Sequence, residues 1–123
     1  MSEEKYKLGF ETLNRLNNGA SERVIKNLSG IAPDVSDYII NFAFGEIYNR
    51  PDLDLKLRQV VTMTALLTQG DTDHQLQTHI KGARSFGWEE NEIIEMFIQA
   101  IPYVGFPKVL NSINSAKKAF NNS

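Results

Sequence analysis

Apolar residues recur at helical spacing along most of the chain. Between residues 3 and 17, four large apolar or aromatic residues share one helical face: Tyr6, Phe10, Leu13 and Leu16. This spacing is typical of an amphipathic helix that buries one side. A turn follows, and we expect Ser21 to cap a short second helix that ends near Leu28.

Proline and glycine mark the limits of the next two helices. Pro33 suits the first turn of a third helix, which we expect Gly45 to close or loosen. From about Asp54 the sequence first alternates like a strand, then continues at helical spacing to Gln69. That length exceeds a typical strand, so we predict a helix; the alternative is one strand near residue 53.

Three more helices are predicted in the second half of the chain. Thr72 and Gln75 have the spacing of a capping box, which would open a helix that stops near Gly87. Another apolar stripe runs up to Pro102, and Pro107 begins the last helix. The prediction is an all-α fold of about six to seven helices, in which short links favour antiparallel neighbours.

Length, composition and charge describe an ordinary helical domain. The chain has 123 residues, 41% hydrophobic and 23% charged, which suits a single domain. Thirteen basic residues stand against 15 acidic ones, so the net charge of -2 is a poor match to a nucleic-acid partner. We find no signal-like N-terminus and no apolar run long enough for a membrane span, and therefore expect a cytoplasmic protein.

The chain contains no cysteine, which excludes disulfides, thiolate nucleophiles and thiolate metal sites. Its two histidines, His74 and His79, are five residues apart and point in different directions on a helix. A histidine-based metal site within one chain is therefore not predicted. Phosphate-binding loops, HExxH and nucleophile-elbow motifs are also absent.

His79 is the residue most suited to proton transfer. It lies beside an apolar helical face made by Leu76, Ile80 and Ala83. One interpretation is a structural histidine bonded to a neighbouring carbonyl group. The other is a general acid or base, because histidine titrates near neutral pH. Periodicity and composition leave both interpretations open.

Several ordered segments resemble the carboxymuconolactone decarboxylase family. They are "FGEIYNRPDLDLKLRQVVTMTALLTQGD" and "QTHIKGARSFGWEENEIIEMFIQAIPYVGFP". The resemblance covers residues 35–121 and leaves residues 1–32 as N-terminal helices. It implies a domain built around an antiparallel helix pair, assembly into homotrimers or homohexamers, and active sites near subunit contacts. It also implies cofactor-free decarboxylation of a small carboxylated lactone of the 4-carboxymuconolactone type.

A second branch of this family, the alkylhydroperoxidase D-like proteins, consists of thiol-dependent peroxidases with a CxxC motif before the histidine. Aligning on His79 places Thr72 and Gln75 at the two cysteine positions. Because both thiols are missing, the resemblance does not extend to this peroxidase chemistry. The alternative to a decarboxylase is a family member with a different or lost reaction that binds small acids as an oligomer.

The resemblance also suggests which residues form the site. His79 matches the family histidine and is predicted to act as general acid or base, together with Glu46 in "FGE". At a helix C-terminus the pKa of Glu46 would be raised, although a solvated carboxylate is the alternative. Arg50 and Arg58 would anchor substrate carboxylates, or instead form surface or interface ion pairs.

Two tyrosines complete the predicted site, and at Gln59 the chain differs from many members of the family. Tyr48 matches a family aromatic position and would wall the substrate pocket, while Tyr103 would do the same or pack at an interface. Many family members have a glutamate where this chain has Gln59, and an amide cannot carry a proton. Either a proton relay has lost a member or Gln59 lies outside the site. Glu89 stands where a serine or threonine cap is expected.

Overall fold

Helices make up most of the described chain, residues 2–122 of a computed structural model, and none of these residues is in a strand. Seven α-helices and one π-helix follow one another: α1 (Glu3–Leu16), α2 (Ala20–Leu28), α3 (Pro33–Tyr38), the π-helix (Ile39–Ile47), α4 (Leu55–Gln69), α5 (Asp73–Ser85), α6 (Glu90–Val104) and α7 (Phe106–Asn121). The all-α prediction is confirmed, and the alternative of a strand near residue 53 is wrong.

The chain forms two compact units, one up to Leu55 and one from Lys56 onward. In the first unit α1 packs against the π-helix, and α2 and α3 pack against each other. Two glycines allow the backbones of α1 and the π-helix to touch. A Cβ atom at Gly9 would lie 1.8 Å from the carbonyl oxygen of Ile40, and one at Gly45 would lie 2.3 Å from that of Lys5.

Gly45 does not close this helix, and the turn in which it lies is a widened, π-helical one. The helical segment continues past Gly45 as the π-helix and ends at Ile47. Asn49 donates a side-chain hydrogen bond to the carbonyl of Phe44 near this end. Gly45 is needed for close approach of α1, because any side chain there would meet the backbone of that helix.

The prediction that Ser21 caps α2 is wrong. The N-cap is Gly19, in a left-handed conformation with φ 78°, and Ser21 lies inside the helix. Ser21 is fully buried, and its hydroxyl donates a 2.8 Å hydrogen bond to the carbonyl of Phe10 in α1. This tertiary hydrogen bond, rather than a local cap, accounts for the serine.

The second unit has one continuous apolar core. Helices α5 and α6 both pack against α7, and α4 contributes to the same cluster. The buried core residues come from all four helices: Met63, Leu67, Leu76, Ile80, Ala83, Ile93, Phe97, Ala100, Val109, Ala116 and Ala119. The apolar stripe predicted for α5 faces this core through Leu76, Ile80 and Ala83. On α4 the buried face is instead made by Gln59, Met63 and Leu67, while Leu57 and Val61 are exposed.

Two caps and one helix end in the second unit differ from the predictions. Thr72 is the N-cap of α5, but its hydroxyl donates to the carbonyl of Leu66 instead of forming a capping box. Glu89 instead forms a capping box with Glu92, so the unexpected glutamate is a working cap. Helix α6 continues through Pro102, which lies in its last turn.

Candidate active site

His79 and Gln59 form a pair of neighbouring polar side chains in the second unit, in which Gln59 is buried and His79 is partly exposed. His79 is on α5, where Leu76 and Ile80 are buried and fix the orientation of the helix. Gln59 is on α4 and is only 1% exposed. The Nδ1 atom of His79 lies 3.0 Å from the Oε1 atom of Gln59, a hydrogen-bond distance. The structure therefore places Gln59 beside the candidate catalytic histidine.

Burial determines the charge of His79. It lowers the pKa of the imidazole from 6.5 to about 4, because the charged form loses its hydration. The ring is consequently neutral at pH 7. A neutral imidazole has one N–H donor and one nitrogen that accepts a proton. In this state His79 can take up a proton, and it must do so before it can donate one as an imidazolium.

The side-chain amide of Gln59 uses its acceptor but not its donor in hydrogen bonding. Its Oε1 atom faces the histidine, while its buried Nε2 atom has no hydrogen-bond partner within residues 2–122. Buried polar atoms without partners are rare in folded proteins and destabilise them. Within residues 2–122 the hydrogen-bonding contact of this amide is therefore the one with His79.

Glu46 belongs to the first unit, near the end of the π-helix. Lys5 donates a 2.5 Å hydrogen bond to its carboxylate. This hydrogen bond and the charge of Lys5 lower the pKa of Glu46, and the charge of Arg50 adds to the effect. The prediction of a raised pKa is wrong, because ionic partners outweigh the helix dipole at this exposed site.

The other predicted residues lie in different parts of the two units. In the first unit Tyr48 stacks on Phe44, with ring centroids 4.4 Å apart, and Arg50 follows the π-helix. In the second unit Arg58 immediately precedes Gln59 on α4, and Tyr103 on α6 is 83% exposed. The structure thus pairs His79 with Gln59, and it places Glu46, Tyr48 and Arg50 in the other unit.

A cavity of about 300 Å³ lies in the second unit between the α4–α5 turn and α7. Ser115 donates a 2.6 Å hydrogen bond to Asp73, and Lys118 lies 3.5 Å from the same carboxylate. The Ser115 hydrogen bond is the main cause of a lowered pKa at Asp73. None of the predicted site residues lines this cavity, and no sequence motif joins the residues that do.

Among residues 2–122 we find no group of three or more histidine and acidic side chains placed to hold a metal ion. The same residues include no helix with the length and apolar character needed to cross a bilayer.

The fold is all-helical, and the neighbouring side chains of His79 and Gln59 form a candidate proton-transfer site. Residues 33–118 match the carboxymuconolactone decarboxylase family, and the chain belongs to this family. It is 29% identical over 119 residues to a 4-carboxymuconolactone decarboxylase of Acinetobacter baylyi, covering 96% of this chain and 88% of that protein.

Two further relatives match this chain over about four fifths of its length. A nitrosuccinic acid decarboxylase of Metarhizium robertsii is 28% identical over 100 residues, covering 81% of this chain and 69% of that protein. An uncharacterized 15.0 kDa protein of Paracoccus denitrificans is 25% identical over 97 residues, covering 78% of this chain and 72% of that protein. Decarboxylation is the activity in the names of the first two relatives.

Proposed function

We propose that this protein is a cofactor-free decarboxylase acting on a small carboxylated lactone of the 4-carboxymuconolactone type. The observation that carries the proposal is the buried, neutral His79 paired with Gln59 in a chain of this family. The names of two relatives, each a decarboxylase of a carboxylated small molecule, support the reaction class.

The chemistry of this substrate explains why no cofactor is needed. Loss of CO₂ leaves an electron pair on carbon, and the conjugated carbonyl of the lactone accepts it. The protein must then hold the substrate carboxylates, stabilise negative charge on the lactone oxygen and deliver a proton to carbon. These three tasks require side chains alone.

We assign the proton transfer to His79. Its neutral ring takes up a proton from solvent water at the nitrogen that does not face Gln59. As the bond to the carboxylate breaks and CO₂ leaves, the imidazolium donates this proton to the carbon, so that a C–H bond replaces the C–CO₂ bond. A bound dianionic substrate stabilises the imidazolium and so raises the pKa of His79 from its low value in the unliganded protein. Glu46 is assigned to proton acceptance only, because its lowered pKa keeps it ionised.

Arginine side chains are the proposed carboxylate anchors. Arg58, which lies on the same helix as Gln59, is proposed to bind one substrate carboxylate through its guanidinium group. Arg50, Tyr48 and Tyr103 are proposed to complete the substrate site in an assembled homotrimer or homohexamer.

Exposed apolar side chains in both units support self-association. Phe42 and Tyr38 are 56% and 58% exposed in the first unit, and Val61 and Phe106 are 62% and 65% exposed in the second. Residues of this type are usually covered when they cluster on a protein surface.

The test is decarboxylation of 4-carboxymuconolactone by the untagged protein, followed by ultraviolet absorbance and by CO₂ release. His79→Ala is expected to remove turnover, while the matched variant His74→Ala keeps it, because His74 is exposed on the same helix. Sizing chromatography would show that all three proteins assemble alike. Full turnover by a correctly assembled His79→Ala protein would contradict the proposal.

A second candidate function follows from Gln59. If its amide replaces a proton-carrying glutamate, the protein binds small dicarboxylic acids without decarboxylating them. Thermal unfolding with 4-carboxymuconolactone, nitrosuccinate and succinate separates the two functions, since a ligand that binds the native state raises its stability. Stabilisation without CO₂ release would favour binding, and stabilisation with CO₂ release would favour catalysis.

A further inference from the structure

We infer that Gln59 is a positioning residue that holds His79 in the tautomer protonated on Nδ1, so that Nε2 alone exchanges protons with the substrate. The Oε1 atom of Gln59 can only accept a hydrogen bond. At 3.0 Å from Nδ1 it therefore requires a proton on that nitrogen. The lone pair of the neutral ring must then lie on Nε2.

The amide also suits both charge states of the ring. When Nε2 takes up a proton, Nδ1 keeps its own proton and continues to donate to Gln59. Neither side chain has to turn during a catalytic cycle, so the acceptor nitrogen keeps its direction. A side chain that only donates hydrogen bonds could not do this, because it would need the lone pair of Nδ1.

A glutamine at this position has a different effect from a glutamate. A buried carboxylate 3 Å from an imidazole would attract a proton to the ring and make an ion pair the resting state. The neutral amide gives the same hydrogen bond without that charge. Gln59 therefore orients His79 while leaving the ring neutral and able to accept a proton.

The burial of Gln59 supports a role at the histidine. The side chain is 1% exposed, and its Nε2 atom has no partner within residues 2–122. An apolar residue of similar size would avoid that unpaired donor. Nothing else in the described contacts of this amide accounts for it, because its one hydrogen bond is to His79.

The tautomer can be measured directly. In a His74→Gln background His79 is the single histidine, provided that no histidine tag is present. Long-range ¹H–¹⁵N correlation spectra at pH 7 distinguish a protonated ring nitrogen from an unprotonated one. We expect Nδ1 to be protonated and Nε2 to be unprotonated. An imidazole free in water favours the opposite form, so a spectrum with Nε2 protonated would overturn the inference.

Two substitutions of Gln59 test the cause. Gln59→Met keeps the length of the side chain without an acceptor oxygen, and we expect the ring to shift toward the form protonated on Nε2. Gln59→Glu keeps the acceptor and should retain the proton on Nδ1, while the midpoint of His79 protonation rises by at least about one pH unit. An unchanged tautomer in Gln59→Met would overturn the inference. If Gln59→Met does not fold, an unchanged midpoint of His79 protonation in Gln59→Glu would overturn the inference.

The catalytic consequence rests on the proposed function, whereas the spectra do not. For an active enzyme we expect kcat to fall at least about tenfold in Gln59→Met with little change in KM, because a misoriented base binds substrate but transfers protons poorly. Proton on Nδ1 without any turnover would contradict the proposed decarboxylase and leave the positioning role intact. Turnover by a protein whose His79 carries its proton on Nε2 would contradict the positioning role and leave the proposed decarboxylase intact.

Discussion

The pH dependence of unfolding tests the burial of His79 most directly. In the folded protein its pKa is about 4, against 6.5 for the unperturbed group. The unfolded chain therefore binds more protons than the native state between these two values. The stability that comes from keeping the ring neutral is fully present above pH 6.5 and is lost as the pH falls toward 4.

The size of the effect follows from the two pKa values. Linkage gives a loss of about 2 kcal/mol between pH 7.5 and pH 5, and a limit of about 3 kcal/mol at still lower pH. These are upper values, because part of the His79 side chain stays accessible to water. Glu46 and Asp73 have lowered pKa values, so the stability that they contribute is lost mainly below about pH 4.5.

Urea unfolding at fixed ionic strength and protein concentration provides the assay. The fluorescence of Trp88, the single tryptophan, reports the transition. His79→Gln should abolish most of the loss between pH 7.5 and pH 5, and His74→Gln should preserve it. The variants are compared by how their free energy of unfolding changes with pH, because each substitution also changes the absolute stability. The reasoning is refuted if His79→Gln and the wild type lose the same stability within about 0.5 kcal/mol.

Three further predictions concern backbone contacts and helix ends. Gly9→Ala should lower the free energy of unfolding by about 3 kcal/mol or more in a thermal unfolding experiment, because the new methyl group meets a carbonyl oxygen of the π-helix. The control Gly30→Ala should change this free energy by less than about 1 kcal/mol, because there is open space around Gly30. Lys108→Met should cost about 1–2 kcal/mol, because two backbone carbonyls at the end of α4 lose a charged donor, whereas the exposed Lys117→Met should be nearly neutral in urea. Glu89→Ala should cost about 1 kcal/mol through loss of the capping box, and restoration of stability by Glu89→Thr would show that the cap is the cause; no loss in the alanine variant would contradict it.

The sequence predicted the helices well where periodicity was strong. Helix α4 was expected from about Asp54 to Gln69 and is found at Leu55–Gln69, with Gly70 beyond its end at φ 75°. The apolar face of α5 was also predicted correctly, because burial of a stripe repeated every three to four residues depends on local spacing. Family membership could likewise be recognised from ordered motifs in the chain.

Local rules failed where distant residues compete for the same groups. Ser21 and Thr72 have the right chemistry for caps, yet their hydroxyls donate to the carbonyls of Phe10 and Leu66. Gly45 has the chemistry of a helix end, yet it serves a backbone contact with α1. The sequence names a capable group in each case, but it does not say which of several partners the fold brings within reach.

The same division applies to the candidate site. The sequence by itself determined that the chain has no thiol chemistry and that His79 is a candidate for proton transfer, and the family resemblance implied a glutamate in many members where this chain has Gln59. Only the tertiary structure decided that Gln59 contacts His79, that burial holds the ring neutral, and that Lys5 lowers the pKa of Glu46. The physical reason is that residue identity fixes which protons a side chain can exchange, whereas its pKa and orientation depend on desolvation and on neighbours that are remote in the sequence.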